Sequence, residues 1–127
     1  MNRNIHIGRQ GELLAASILE GYDIRTCHVD IARDDLWAKA PSNKFFSVQV
    51  KTASHPILNT ARHTVAKYNF CMHNNQNYTG VFLFLALDLK ILLGRKGTTV
   101  STKSFKLNPS EFTKQAQDQT IREAFEL

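Results

Sequence analysis

Residues 45–53 read Phe-Phe-Ser-Val-Gln-Val-Lys-Thr-Ala, and their alternation is strict. Phe46, Val48 and Val50 fall on one side, and Ser47, Gln49 and Lys51 on the other. A period of two marks a β-strand with one face turned to a core. Its polar face sets the Gln49 amide and the Lys51 ammonium side by side, two residues apart. Upstream, Pro41-Ser42-Asn43-Lys44 is turn chemistry. Asp34–Ala40 is a short strand on the far side of that turn, and Tyr22–Val29 a strand before it. Thirteen residues separate Asp35 from Gln49, a gap that a hairpin closes by bringing Asp35 beside Gln49. In the segment before these strands, Leu14 and Ile18, and likewise Ala15 and Leu19, lie four apart. That spacing predicts a helix over residues 8–20, with Gly21 as its terminating glycine.

Downstream, Gly80–Leu87 is apolar throughout and reads as a strand buried on both faces. Asp88-Leu89-Lys90 turns it into a hairpin partner at Ile91-Leu92-Leu93. Residues 63–72 fit a strand or an irregular helix, with strand preferred, Asn74–Asn77 reads as a polar loop and Gly94-Arg95-Lys96-Gly97 as a basic turn. Asn108-Pro109 opens a last helix that runs towards Phe125. No repeat, low-complexity tract or linker divides the chain, so residues 1–127 are expected to form one domain, an α/β or α+β sandwich on one main sheet.

The composition is that of an ordinary globular protein, with 43% hydrophobic and 21% charged residues among 127. Disordered, collagenous and coiled-coil classes are excluded. The longest apolar run, Val81–Leu87, is too short for a membrane helix, and the N-terminus lacks the apolar core of a signal peptide. An intracellular, cytoplasmic protein with no membrane partner is the expectation. A formal net charge of +5 is compatible with a polyanion, DNA or RNA first. Two cysteines, Cys27 and Cys71, are too few for a disulfide framework, and they are expected reduced and half-buried. Cys27-His28 and Cys71-Met72-His73 lack the spacing of a zinc site.

The chemistry gathers around the strand quoted first. Glu12 lies on the helical stripe with Ala15, Ala16 and Leu19, and a carboxylate turned towards a sheet needs a lysine or a cation as partner. Glu12, Asp35 and Gln49 offer oxygen ligands only, which suit Mg²⁺ or Mn²⁺. Lys51 beside such a cation would orient or deprotonate a water, or stabilise developing negative charge, as in metal-assisted phosphodiester hydrolysis. Lys39, Lys44, Arg62, Lys67, Arg95 and Lys96, followed by Lys103 and Lys106, are candidate phosphate contacts. Trp37, Tyr68 and the Asn74–Asn77 loop are candidate contacts to bases or sugars, although a residue like Trp37 more often serves core or dimer packing. His55 and His63 are candidates to face phosphates.

In order along the chain, Gly11-Glu12 on a helix ending at Gly21, then Asp34-Asp35-Leu36, then Val48-Gln49-Val50-Lys51-Thr52 resembles the PD-(D/E)XK nuclease superfamily. The resemblance covers roughly residues 8–53. Val-Gln-Val-Lys-Thr is most similar to the branch with glutamine at the second acidic position, which includes small homing endonucleases. The helix with its early glutamate also resembles Holliday junction resolvases, which carry Glu where Gln49 stands. The resemblance implies a restriction-endonuclease-like α/β fold, a central mixed β-sheet flanked by helices. It implies Mg²⁺-dependent DNA cleavage, with Asp35 and Glu12 as metal-binding carboxylates, Gln49 at the acidic position and Lys51 as the catalytic lysine. Leu36 selects Asp35 over Asp34 and Asp30, and Asp34 stands where the superfamily usually has Pro. One active site per chain implies a dimer or higher homo-oligomer to cut both strands. The uncharged Gln49 and the missing Pro support an alternative, a catalytically inactive nucleic-acid-binding or assembly domain on the same fold.

Overall fold

A computed structural model describes residues 3–58, 65–72, 77–100 and 104–127. In chain order the elements are α1 (Arg3–Glu20), β1 (Arg25–Ile31), β2 (Asp34–Lys39), β3 (Phe45–Ala53), β4 (Tyr68–Cys71), β5 (Val81–Ala86), β6 (Ile91–Lys96), β7 (Ser104–Leu107) and α2 (Lys114–Ala124). Five strands form one mixed sheet in the order β1-β2-β3-β5-β6, and β4 pairs with β7 in a small second sheet. Within the main sheet only β3 and β5 run parallel. A parallel pair needs a crossover, and residues 54–80, which contain β4, supply it.

The alternation of β3 sorts the molecule into layers. Val48 joins Leu36, Leu83, Leu85 and Leu92 in a core that Ala15 and Leu19 of α1 and Ile121 and Ala124 of α2 close. On the other face, Phe82, Phe84 and Leu93 meet Tyr68, Phe70 and Leu107 of the small sheet. Both helices therefore lie on one face of the five-stranded sheet, and β4 and β7 cover the other. β5 is buried along its whole length, as its continuous apolar run requires. Each of its phenylalanines removes a full aromatic side chain from water, about 1.5–3 kcal/mol apiece.

α2 also closes an edge. The Leu92 N–H donates to Gln117 Oε1 at 3.1 Å and the Gly94 N–H to Thr120 Oγ1 at 3.0 Å. Side chains of α2 thus occupy donors that an edge strand would otherwise leave free.

Several sequence expectations need correction. The helix begins at Arg3, five residues before position 8. Its end does fall at Gly21, yet the left-handed residue there is Asp23, at φ 60°. Ile24 then donates back to the Leu19 carbonyl at 3.1 Å. β1 starts at Arg25, three residues later than expected. Gly94-Arg95-Lys96 is not a turn: these residues extend β6, with Lys96 paired to Val81. The single closing helix is two pieces. Asn108 and Glu111 form a capping box around one 3-10 turn at Pro109–Glu111, and Thr113 then caps α2. The reason is topological, because Phe112 packs in the core under the small sheet while Ile121 and Phe125 pack in the helix-side core. A straight helix cannot serve both faces. Cys27 and Cys71 are free and exposed, not half-buried.

α1 reaches the sheet through Gly11. A Cβ there would lie 1.8 Å from Thr52 Oγ1 and 2.8 Å from Thr52 Cβ. Gly11→Ala is expected to cost about 1–3 kcal/mol in urea unfolding. Adding Thr52→Ala, which removes Oγ1 and Cγ2 but keeps Cβ, should restore part of that loss, whereas additive effects would show that the two residues do not touch.

Candidate active site

The β2–β3 ladder runs from Lys39↔Phe45 to Leu36↔Val48 and stops, while β3 continues beside β5 as far as Ala53. Beyond Val48 the edge of β3 that faced β2 is open. The next donor on that edge, the Val50 N–H, binds Asp35 Oδ2 at 2.8 Å. A carboxylate thus stands where a ladder carbonyl would have been.

A cavity of about 450 Å³ opens at this fork, lined by Glu12, Asp35, Gln49 and Lys51. The first turns of α1 bound it on one side, through Asn4, Ile7 and Gly8, and Phe70 and Cys71 of β4 bound it on the other. The four residues singled out from sequence therefore meet in one cleft. Each arrives by a different route. Gln49 and Lys51 project from the β3 face opposite buried Val48, Asp35 comes from the start of β2, and Glu12 follows the contact residue Gly11 on α1.

Burial sets the electrostatics. Desolvation raises the Asp35 carboxyl above the usual aspartate value, against the Val50 hydrogen bond and the Lys51 charge, which favour its ionised form. Glu12 is raised as well, by desolvation and then by repulsion from Asp35, with His28 and Arg9 opposing. Lys51 is made more acidic than an ordinary lysine by desolvation, which Cys71 and Asp35 only partly offset. Gln49 Oε1 is buried without a hydrogen-bond partner. A buried carbonyl in that state is costly unless something is meant to bind it.

The donor set is all oxygen: two carboxylates that repel each other and one orphaned amide oxygen. Mg²⁺ and Mn²⁺ take such sets, completed by waters and substrate oxygens, so the residues present fit such a cation. Among the described residues no group of three or more His, Cys, Asp or Glu gathers as a metal site.

Asp34, next to Asp35, is committed elsewhere. Its Oδ2 accepts from Trp37 Nε1 at 3.0 Å and its Oδ1 from the Tyr78 hydroxyl at 2.7 Å. These bonds lower its carboxyl against desolvation. The candidate phosphate contacts are scattered. Lys44 pairs with Glu126, Lys96 lies 4.0 Å from the same carboxylate, and Arg95 donates to the Gly94 carbonyl. Lys39 lies 5.9 Å from the Phe45 ring centroid, and the backbone of Lys67 bridges to Ile57. None of these lines the cleft. Arg62, Lys103, His63 and most of the Asn74–Asn77 loop lie outside the described residues. Tyr68 is buried, its hydroxyl bonded to Asp88 at 2.8 Å, so it cannot meet a base. His55 is exposed and bonded to Ser54.

Sequence reading passed over Asn4 and Arg9, and weighed His28 only as a zinc ligand beside Cys27. A second lobe of about 580 Å³ shares Asn4, Gly8, Glu12 and Asp35 with the first and adds Arg9, His28 and Asp30. The signal was available in Ile7, which extends the Gly11, Leu14 and Ile18 spacing one turn towards the N-terminus.

No protein-family model matches the chain, and no curated protein matches it in sequence. Among solved structures it is similar to a bacterial homing endonuclease, I-Ssp6803I, with a TM-score of 0.62 over 95% of this chain and 86% of that one. Identity is 12%, so the likeness shows the fold alone: this chain shares that protein's mixed α/β architecture. No helix among the described residues is long and apolar enough to cross a membrane.

The paired carboxylates predict a linkage effect. A carboxyl whose folded pKa is raised makes the folded state bind more protons than the unfolded one. Its stabilising share is complete below the unfolded pKa and is lost as pH rises through the folded value. Glu12→Gln should therefore flatten the decline of stability from acid to neutral pH and raise Tm at pH 7 by roughly 1–3 °C. A fall in Tm at pH 7 would contradict the repulsion described here.

Proposed function

We propose that this chain is a Mg²⁺- or Mn²⁺-dependent DNA endonuclease of the PD-(D/E)XK type, working as a dimer or higher oligomer. The observation that carries the reading is the convergence of Glu12, Asp35, Gln49 and Lys51 in one cleft, with Gln49 Oε1 buried and unpartnered. The likeness of its fold to that of a bacterial homing endonuclease supports the reading. Asp35, Gln49 and Glu12 would hold the cation, which when bound supplies positive charge against the negative charge that develops on the phosphate. Lys51, half-buried and shifted towards its neutral form, orients the attacking water and takes up or shares its proton. The Val50 N–H keeps Asp35 in place and leaves its other oxygen for the cation. One cleft cuts one strand, so both strands of a duplex need two copies.

The neutral amide at Gln49 favours a second reading, a binding or assembly domain that no longer cuts. Cleavage assays on supercoiled plasmid and on a four-way junction, with Mg²⁺, Mn²⁺ or EDTA, separate the two. The expected result is cutting that needs the metal and falls at least 100-fold, about 2.7 kcal/mol, in both Lys51→Ala and Asp35→Asn, with thermal unfolding of each variant still cooperative. The preferred substrate distinguishes a homing-like from a resolvase-like role. Equal cutting by wild type and both variants would overturn the site. DNA binding without cutting or metal uptake would establish the second reading.

A further inference from the structure

The three antiparallel strands beside the cleft carry a surface that the active-site reading does not use. Their register sets two cross-strand rows on one face: Arg25–Lys39–Phe45 and Cys27–Trp37–Ser47. These six residues share a shallow hollow of about 480 Å³. Trp37 is 42% and Phe45 73% exposed, although both are large aromatics. The small sheet packs over β5, β6 and the end of β3, and leaves this part of the face open.

Two aromatics exposed side by side call for a partner. The charges decide which kind. The hollow is lined by two cations, Arg25 and Lys39, and by no acidic residue. Lys39 rests over the Phe45 ring, 5.9 Å from its centroid, which keeps cation and ring together at the surface. Trp37 is also held in place, through its indole N–H on Asp34. A second copy seated here about a two-fold axis would bring Arg25 and Lys39 of both copies together, like charge against like. A polyanion whose backbone alternates phosphates with apolar sugar faces meets both demands. The position suits it as well: Phe45 lies four residues from Gln49 along β3, about 13 Å, or roughly four base steps.

Resting on the nuclease reading, we infer that the Arg25–Lys39–Phe45 and Cys27–Trp37–Ser47 face is the surface that holds the DNA flanking the cleaved phosphate. Arg25 and Lys39 take its phosphates, and Trp37 and Phe45 lie against its sugars.

Trp37 is the single tryptophan of the chain, so its fluorescence reports on this face alone. Binding of an end-labelled mixed-sequence duplex at low salt is followed by anisotropy, and Trp37 by acrylamide quenching. Duplex binding should shield Trp37 from acrylamide. Phe45→Ser and Lys39→Ser should each weaken binding about fivefold or more, and neither exposed side chain is needed for folding. Wild-type affinity in both variants with Trp37 unshielded would overturn the inference and leave the cleft intact. Shielding of Trp37 that grows with protein concentration in the absence of DNA would overturn it in favour of a second copy. No duplex binding by the wild type would overturn the nuclease reading together with this one.

Discussion

The Val50 N–H to Asp35 Oδ2 hydrogen bond is the point on which the rest of the site depends. It marks where β2 stops pairing with β3 through its backbone and begins to do so through a side chain. Because the ladder ends there, the far half of β3 has an open edge, and the cleft occupies that edge. Because the bond is made by an acidic side chain, the strand end that creates the opening also delivers a carboxylate into it. Asp34, one residue earlier, holds the start of β2 through Trp37 and Tyr78. These two side-chain hydrogen bonds anchor the backbone from which Asp35 projects.

The cleft is a local concentration of cost: among the described residues, the buried side-chain polar atoms without a hydrogen-bond partner, Gln49 Oε1 and Thr52 Oγ1, both belong to residues that line it. Two carboxyls are raised by burial, a lysine is depressed by it, and an amide oxygen is left without a donor. A buried unpartnered polar atom costs about 1–3 kcal/mol. The two cores on either side of the sheet make this tolerable, because the site sits at their margin and not inside either. Close packing brings the groups together. Gly11 lets α1 touch Thr52, and the next residue, Glu12, is thereby held near Asp35. A bound divalent cation would relieve the repulsion, the desolvation and the orphaned oxygen at once, which is why the same features that weaken the free protein argue for a ligand.

Much of this was legible in the sequence, for local reasons. The alternation of residues 45–53 and the apolar run of 80–87 are strong periodic signals, and both strands lie where they were expected. The nearness of Asp35 and Gln49 followed from the length of one hairpin. What escaped depends on contacts between distant elements. The first turn of α1 has no acidic residue to announce it, and it forms against the cleft. β7, Ser104–Leu107, carries too short a pattern to stand out and exists as the partner of β4. The break before α2 comes from Phe112 and Ile121 belonging to opposite faces. Lys44 and Lys96 read as free cations, and only the returning C-terminus brings Glu126 to them.

The central claim is that Glu12, Asp35 and Gln49 form one cation site. A crystal of the protein grown with Mn²⁺ and measured at the manganese absorption edge tests it most directly. The account predicts an anomalous peak in the fork, within bonding distance of Asp35, Gln49 Oε1 and Glu12 or its water. That peak should vanish in Asp35→Asn. A cleft with no peak, or a peak held by Asp34 or Asp30 with Gln49 uninvolved, would contradict it.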